Sequence, residues 1–451
     1  MPEYVIDVDI LLTQVRAALK RGDLSSAVGL LEALRPADQA GVFDDLLPEE
    51  QDRLIPHLKP EDSADILEEL EEEDAAEVAE RLKADNLATI LDHMEPDEAA
   101  DLLGDIKPEI ANQALEAMAE SEEVRPLLIH KDETAGGLMT TADITLRREM
   151  TAEQAISYLR KLSPESESIY YLFVVDDQDK LVGVVNLRDL VVAPRKAKIK
   201  KVMNPEVVSI QANADQEEAA LIMKRYDLLA LPVIDKSNHL LGVITYDDSF
   251  DILEEEATED IYRLGGVVEE TSLDVPFLQA VRSRLPWLVI NLFMALISAA
   301  VLSGFEDTIA QMAALAAFFP IVAGVSGSSG TQTLTVTVRS LATGELEPKD
   351  ALKVIPRSLS LGAVNGITIG ALIALIAYLW KGIPELGLVA GIATMLNMLV
   401  TSLAGVLVPF LMNKLKFDPA LASPILVTTL SDSLGYLVYL GLASTALVWF
   451  I

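Results

Sequence analysis

Residues 426–440 read LVTTLSDSLGYLVYL, an apolar stretch with one acidic side chain, Asp432, near its middle. The surrounding residues 420–450 are long enough to cross a hydrocarbon core of ~30 Å as a helix. A carboxylate at that depth is costly unless it faces water, a cation or a partner group. The segment therefore predicts a membrane-spanning helix whose acid serves an ion pathway. The alternative is a protonated or hydrogen-bonded structural aspartate.

Four more apolar stretches precede this one, at about 286–303, 309–338, 355–379 and 385–411. Basic residues alternate between the loops, with Lys381 alone on one side. The other side carries Arg282, Arg284, Arg339, Lys349, Lys353, Arg357, Lys414 and Lys416. The positive-inside rule then predicts a cytosolic N-terminus and an external C-terminus in the cytoplasmic (inner) membrane. The first residues, MPEYVIDVDILL, lack a signal-peptide pattern, which favours the same orientation.

Polar residues in the spans are candidates for the pathway. Thr428 lies four residues before Asp432 and shares its helix face. The second stretch, PIVAGVSGSSGTQTLTVTVRS at 320–340, is rich in Gly, Ser and Thr. That composition suits close helix packing and also an irregular backbone lining a wet cavity, two compatible interpretations that make this stretch a pore-lining candidate. Asn291, Asn365 and Asn397 are interpreted as interhelical hydrogen-bonding groups.

Charge is distributed unevenly along the chain. Residues 271–451 hold 9 of the 70 acids and 9 of the 35 bases, so the net charge of −35 lies on residues 1–270. An acidic surface attracts cations and repels nucleic acid, so no nucleic-acid partner is expected. The chain has no cysteine, and its four histidines precede the spans, so oxygen ligands dominate. A hard divalent cation, Mg²⁺ before others, is the predicted substrate.

Residues 1–130 are predicted to form stacked helical repeats. The segments HLKPEDSADILEEL (57–70), LEEEDAAEVAERL (70–82), MEPDEAADLLGDI (94–106) and IKPEIANQALEAM (106–118) recur at about 12 residues or multiples of it. Each opens with an acid or proline and then carries apolar residues at helical spacing. Such repeats build an all-α superhelical domain.

Residues 138–255 contain a duplicated unit. YYLFVVDDQDKLVGVVNLRDL (170–190) and LLALPVIDKSNHLLGVITYDD (228–248) align at an offset of 59, so that Asp176 matches Asp235 and Gly183 matches Gly242. This α+β unit resembles a pair of CBS domains. The resemblance implies a scaffold and dimerisation element, with ATP binding at the pair as a weaker alternative.

The residues after the duplication are strongly acidic. Asp248, Asp251, Glu255 and Glu259 fall on one stripe of a predicted helix, where like charges repel. The stripe is either a solvated face or a place where a bound divalent cation screens the repulsion. We favour metal sensing because this helix joins the acidic part to the first span.

Six motifs in order resemble the MgtE family of magnesium channels: TAGGLMT (134–140), SIYYLFVVD (168–176), ATEDIYRLGG (257–266), RSLATGEL (339–346), DPALAS (418–423) and TTLSD (428–432). The resemblance implies an N domain at 1–130, a CBS pair at 131–253, a connecting plug helix at 254–284 and a five-span pore at 285–451. Because Mg²⁺ keeps several water ligands and closed two-fold dimers are the commonest oligomers, we also expect a homodimer in which two Asp432 side chains meet a hydrated ion.

The resemblance further assigns metal-binding roles to individual residues. In the pore these are Asp432, Thr428 and, at the cytosolic mouth, Asp418. The remaining implied ligands are regulatory: Asp227, Asp248, Asp251, Glu256, Glu259, Asp260, the backbone of Gly137 and, in the N domain, Asp65, Asp97 and Asp101.

The predicted function is Mg²⁺ import gated by intracellular Mg²⁺. At high Mg²⁺, ions bridge the acidic domains and the plug helix and close the pore; at low Mg²⁺, the carboxylates repel and the pore opens. Two alternatives remain, a cation antiporter of the same fold and a membrane-tethered metal or nucleotide sensor without flux. No catalytic motif points to an enzyme.

Overall fold

The computed structural model describes residues 8–141, 145–162, 171–267, 277–346 and 348–450. The chain separates into two compact units, Met1–Leu253 and Glu254–Ile451. The first unit holds helical repeats and two small sheets. The second unit contains five long apolar segments within its described residues, preceded by most of an acidic helix.

Short helices begin the first unit, and five of them open on a proline at the first helical position, which tolerates proline because its N–H has no helical partner. They are α1 (Val8–Arg21), α2 (Leu24–Leu31), α3 (Pro36–Asp44), α4 (Pro48–Leu54), α5 (Pro60–Glu68), α6 (Glu72–Arg81), α7 (Ala84–Leu91), α8 (Pro96–Asp105), α9 (Pro108–Ala117) and α10 (Ser121–Val124).

The 12-residue repeat has a direct structural counterpart. Acids at positions 68, 80 and 92 each accept a backbone N–H from 27 residues further on, at the start of a later helix. Asp92 accepts from both Ala119 and Glu120 at 2.9–3.0 Å. Each bond satisfies an N–H near a helix N-terminus, where the helix itself supplies no partner. The predicted stacking of helical repeats is therefore present.

Two sheets with three helices follow, made of β1 (Thr140–Thr141), β2 (Thr145–Arg147), α11 (Ala152–Leu162), β3 (Tyr171–Val175), β4 (Leu181–Asn186), α12 (Leu187–Val192), β5 (Ile210–Gln211), α13 (Gln216–Tyr226), β6 (Ala230–Ile234) and β7 (Leu240–Thr245). The strand orders are β2-β3-β4 and β1-β7-β6-β5. In each sheet an antiparallel hairpin pairs with a parallel strand.

The offset of 59 residues is visible in the backbone. The register shifts at Val174/Val175 in one hairpin and at Val233/Ile234 in the other. Asp176 and Asp235 each accept two backbone N–H groups of their turns. The two sheets are therefore copies of one unit, as the sequence predicts.

The helical repeats and the second sheet share one apolar core. Buried residues from Leu12 in α1 to Ile244 in β7 form a continuous cluster. The loop before β1 adds backbone bonds from Ala135 to Ala214 and from Gly136 to Ala212, both 2.9 Å. Helix α8 consequently packs beside β1.

The remaining α-helices are α14 (Asp248–Gly265), α15 (Phe277–Ser303), the short α16 (Glu306–Gln311), α17 (Phe319–Ala342), α18 (Ala351–Lys381), α19 (Pro384–Lys414) and α20 (Pro419–Phe450). Within the described residues, five segments are long and apolar enough to cross a membrane: Phe277–Ser303, Ala313–Ala342, Ala351–Lys381, Pro384–Lys414 and Pro424–Ala446. They confirm the five predicted spans.

Helix α19 lies at the centre of this unit and contacts α17, α18 and α20. Glycines permit the close approach: a Cβ at Gly370 would lie 2.5 Å from the carbonyl oxygen of Gly391. Helix α17 is continuous through Gly324, Gly327 and Gly330. The irregular backbone considered for this span is absent from α17, and its small residues allow close packing. The pore-lining role of this span stays a prediction.

Candidate ion pathway and acidic sites

A buried carboxylate lies where the helical repeats meet the second sheet. Asp97, in the first turn of α8, is 6% exposed and accepts a hydrogen bond from Thr140 of β1. Burial, together with repulsion from Asp248 and Glu95, raises the pKa of Asp97 to about 8. Two carboxylates from separate parts of the chain, Asp97 and Asp248, therefore share one poorly hydrated place.

Asp248 is held rigidly in this place. It opens α14 directly after β7, and its Oδ2 accepts hydrogen bonds from the Thr245 backbone N–H at 2.8 Å and hydroxyl at 2.6 Å. Burial raises the pKa of Asp248 despite these bonds, which act in the opposite direction. The hairpin thus fixes an acid against the repeats.

More acids surround the pair. Partial desolvation raises the pKa of Glu98, and repulsion from Asp97 and Asp101 adds to this effect. Burial also raises the pKa values of Glu68 and Asp65, with neighbouring carboxylates contributing. We name Asp65, Glu68, Asp97, Glu98, Asp101 and Asp248 the inner acidic cluster. Its negative charge is concentrated where water is partly excluded, so a cation would be strongly attracted.

The cluster is not arranged as a finished coordination sphere. Across the described ranges, no group of three or more His, Cys, Asp or Glu side chains has the geometry to hold a metal ion. The Oδ1 atom of Asp97 is buried and has no hydrogen-bond partner in the described part of the chain. A buried acceptor without a partner is costly, and a cation would satisfy it.

Three other predicted ligands lie outside the core of this cluster. Asp227 is exposed and ends α13 with a left-handed φ of 51°. Asp251 is exposed one turn into α14. Gly137 lies in the turn before β1, where a Cβ would come within 2.5 Å of the Lys131 carbonyl oxygen, so only glycine fits without a shift.

A second acidic site lies in the other unit, at the start of α20. Asp418 caps this helix, its Oδ1 accepting the Ala420 N–H at 2.7 Å, and its other oxygen pairs with Arg263 of α14. The same guanidinium pairs with Glu259 one turn earlier. One cationic side chain therefore holds two of the predicted metal ligands.

Asp260 is the third acid of this site. Burial, together with repulsion from Asp418 and Glu256, raises the pKa of Asp260 to about 6, although Arg339 acts against the increase. We name Glu256, Glu259, Asp260 and Asp418 the mouth cluster. The charge of Arg263 and Arg339 partly balances its four carboxylates.

The pore candidates lie on α20. Asp432 is partly exposed within an apolar helix, and Thr428 is exposed one turn before it on the same face. The Thr428 hydroxyl donates to the Pro424 carbonyl oxygen at 2.9 Å, so it binds its own helix. This geometry leaves one polar stripe on the surface of α20.

An open cleft lies beside the first sheet. Its volume is about 590 Å³, and its lining includes Tyr171, Asn186, Arg188, Val191 and Leu229. This volume lies within the range of small-molecule sites, and an aromatic ring with one guanidinium suits a flat ring carrying an anionic group.

Several residues of these sites were not predicted from the sequence. Arg263 lies four residues after Glu259, a spacing that favours a helical ion pair. Glu68 recurs with the 12-residue period of the repeats and caps a later helix. Glu98 follows Asp97 directly, but only the packing of α8 against β1 shows where it lies.

Known proteins contain the same domains in the same order. Family models match residues 319–442 (MgtE, divalent cation transporter), 34–133 (MgtE intracellular N domain), and 135–196 and 199–248 (CBS domain). A magnesium transporter MgtE of Thermus thermophilus is 39% identical over 329 residues, which are 71% of this chain and 72% of that protein. The chain belongs to the MgtE family.

Other relatives agree with this assignment. The MgtE protein of Enterococcus faecalis is 38% identical over 74% of this chain and 73% of that protein. A solved cytosolic domain of the Mg²⁺ channel MgtE in complex with ATP is 33% identical, with a TM-score of 0.51, covering 53% of this chain and 99% of that one. The soluble part of a magnesium transporter gives 31% identity and a TM-score of 0.50 over 56% of this chain and 100% of that one.

Membership of the MgtE family confirms the predicted resemblance and fold class: a five-span helical membrane protein with a helical N domain and a CBS pair. The match to an intracellular N domain confirms a cytosolic N-terminal part. The domain boundaries and the individual metal ligands stay predictions.

Proposed function

We propose that this chain is a Mg²⁺ channel that imports Mg²⁺ across the cytoplasmic membrane and is closed by Mg²⁺ inside the cell. The observation that carries the proposal is Asp432, a partly exposed carboxylate within an apolar spanning helix of an MgtE-family pore. Intramembrane acids are retained at a cost and usually mark an ion path. The activity is transport and not catalysis.

A homodimer suits this chemistry. Mg²⁺ keeps most of its water ligands, so one carboxylate does not strip its hydration shell. Two copies related by a two-fold axis present two Asp432 carboxylates to a hydrated ion. Membrane potential then drives import, because a divalent cation gains about 4–5 kcal/mol per 100 mV. The C-terminus lies outside the cell, following the distribution of loop charges.

Closure by Mg²⁺ follows from the two acidic clusters. In the inner acidic cluster the raised pKa values of Asp97 and Asp248 report the cost of unscreened charge. A divalent cation removes this cost, and a ligand that prefers one conformation shifts the population towards it. The regulatory ligands are the inner cluster residues Asp65, Asp97, Asp101 and Asp248, the mouth cluster residues Glu256, Glu259 and Asp260, and Asp227, Asp251 and the Gly137 backbone, while Asp418 is the acid at the cytosolic mouth of the pore.

ATP is a second regulatory ligand. The cleft lined by Tyr171, Asn186 and Arg188 has room for a nucleotide, and the related MgtE cytosolic domain was solved in complex with ATP. Arg188 would hold phosphate and Tyr171 would stack on the base. Calorimetric titration of the full chain with ATP tests this, and Arg188→Ala should weaken binding about tenfold or more. Unchanged affinity would exclude this cleft.

Dye-reported Mg²⁺ flux into liposomes tests the main proposal. Asp432→Ala should abolish flux, whereas Glu385→Gln, which removes an acid from the first turn of α19, should conduct like the wild type. A reversal potential that follows a counter-ion gradient would favour an antiporter. Absence of flux in the wild type, with Mg²⁺ binding retained, would favour a sensor.

A further inference from the structure

Asn397 is buried in the membrane unit next to the pore aspartate. It lies in the middle of α19, is completely inaccessible to solvent, and its Nδ2 donates to the backbone carbonyl oxygen of Ser431 at 3.1 Å. Ser431 immediately precedes Asp432. The side chain of one spanning helix thus holds the backbone of another at the base of the candidate ion ligand.

The Asn397 side-chain amide also packs against Gly435. This glycine lies one turn after Ser431, and a Cβ there would lie 2.5 Å from the Asn397 Nδ2 and 3.1 Å from its Cγ. The amide group therefore occupies the space that any larger residue at 435 would need. Because Asn397 is also enclosed and hydrogen-bonded, it has little freedom to move aside.

The residues on both sides of Asp432 are held by other helices as well. The Ser431 hydroxyl donates to the Ala323 carbonyl oxygen of α17 at 3.2 Å. The Ser433 hydroxyl lies 3.0 Å from that of Ser298 in α15. Helices α15, α17 and α19 therefore fix α20 against rotation at the level of Asp432.

An amide at this position is thermodynamically unfavourable. Its Oδ1 is buried and has no partner among the groups that the structure describes. An unpaired buried acceptor costs its full desolvation, so an apolar side chain would pack here at lower free energy. A polar residue that breaks this rule is expected at a functional place.

We propose that Asn397 is a positioning residue for ion selection, which acts through Ser431 to set the direction of the Asp432 carboxylate. The proposal rests on the function proposed above. Carboxylates that select an ion must be held closely in place, and a helix that can rotate changes where they point. Asn397 itself does not bind the ion.

Asn397→Ala tests the proposal by selectivity. It removes one interhelical hydrogen bond and also the unpaired acceptor, so the preference for Mg²⁺ over Ca²⁺ should fall about 3- to 20-fold, while the fold survives. Thr394→Val is the matched control, because this buried hydroxyl lies one turn away in α19 and, among the described residues, donates only to the Ala390 carbonyl oxygen of its own helix, at 2.8 Å. Unchanged selectivity in Asn397→Ala would refute the proposal.

A double substitution tests the geometry. Gly435→Ala should reduce Mg²⁺ flux in the wild type, because the new Cβ meets the Asn397 amide. In the Asn397→Ala background that obstacle is gone, so the same substitution should have little further effect. An equal loss of Mg²⁺ flux in both backgrounds would contradict the contact between the Asn397 amide and position 435.

A readout independent of conduction separates this inference from the proposed function. The chain contains no cysteine, so Asp432→Cys gives a single thiol. Its rate of modification by a water-soluble methanethiosulfonate should change severalfold when Asn397→Ala is added and stay unchanged with Thr394→Val. If the wild type conducts no Mg²⁺ but this rate changes, only the proposed function fails. If the rate does not change in a conducting protein, the positioning role fails.

Discussion

The guanidinium of Arg263 forms an ion pair with the carboxylate of Asp418, 155 residues further along the chain. Arg263 belongs to the helix before the first span, and Asp418 caps the last helix. The side chains are 29% and 26% exposed, so the pair is only partly screened by water. A fixed cation therefore occupies part of the mouth cluster, where the predicted regulatory Mg²⁺ would bind.

Arg263→Gln should make closure depend more strongly on Mg²⁺. Without the guanidinium, Glu259, Asp260 and Asp418 repel one another, so flux at low internal Mg²⁺ should rise about threefold, as expected for a partly exposed ion pair. Saturating internal Mg²⁺ should still close the channel. Liposome flux measured against internal Mg²⁺ checks this. Arg263→Lys keeps the positive charge, so its flux at low internal Mg²⁺ should lie between those of the wild type and Arg263→Gln. Unchanged flux in both variants would show that the ion pair has no role in gating.

The inner acidic cluster should make the stability of the soluble unit depend on pH. The folded-state pKa of Asp97 is about 8, above its ordinary value of 3.8, so protonation favours the folded state. Its stabilising contribution is complete below about pH 4 and is lost as pH rises through 8. In chelator-containing buffer, the unfolding temperature should therefore fall between pH 6 and pH 9 by at least about 3 °C.

Asp97→Asn should remove much of that pH dependence, because an amide carries no charge at either pH. Added Mg²⁺ should raise the unfolding temperature of the wild type at pH 9 more than that of the variant. Calorimetry of the full chain in detergent measures both effects. A variant that keeps the wild-type pH profile would show that Asp97 does not titrate in this range.

The helical repeats should lose stability when a cross-repeat cap is removed. Asp92 accepts N–H groups from Ala119 and Glu120, and replacing a capping acid with alanine costs about 1–2 kcal/mol. Asp92→Ala should therefore lower the free energy of unfolding by that amount. Glu116→Ala, an exposed acid in α9, should change it by less than about 0.5 kcal/mol. Urea unfolding followed by circular dichroism compares the variants.

The pore unit should be sensitive to small changes at its helix crossings. A Cβ at Gly391 would lie 2.6 Å from the Gly370 carbonyl oxygen, so Gly391→Ala should cost about 1–3 kcal/mol through overpacking. Gly441→Ala is the matched control, since a Cβ there would meet no described atom of a neighbouring helix within 4 Å. The unfolding temperature in detergent should fall for Gly391→Ala only. An equal change in both variants would contradict the close contact between Gly370 and Gly391.

Features that depend on local composition could be predicted before any packing was known. Five apolar runs predict five spanning helices because length and hydropathy decide membrane insertion segment by segment. Prolines at 36, 48, 60, 96 and 108 start helices because their effect is limited to one turn. The 59-residue offset predicts the second sheet because similar sequences adopt similar turns, as those of Asp176 and Asp235 do.

Contacts between side chains that are distant in the sequence, in contrast, depend on how whole helices and strands pack and could not be predicted. Asp97 lies beside Asp248 because α8 packs on β1, Arg263 reaches Asp418, and Asn397 fits over Gly435. The sequence indicated that Asn397 is an interhelical hydrogen-bonding residue but gave no partner. Such pairs depend on crossing angles and registers between elements, which no short pattern encodes because many arrangements bury the same apolar faces.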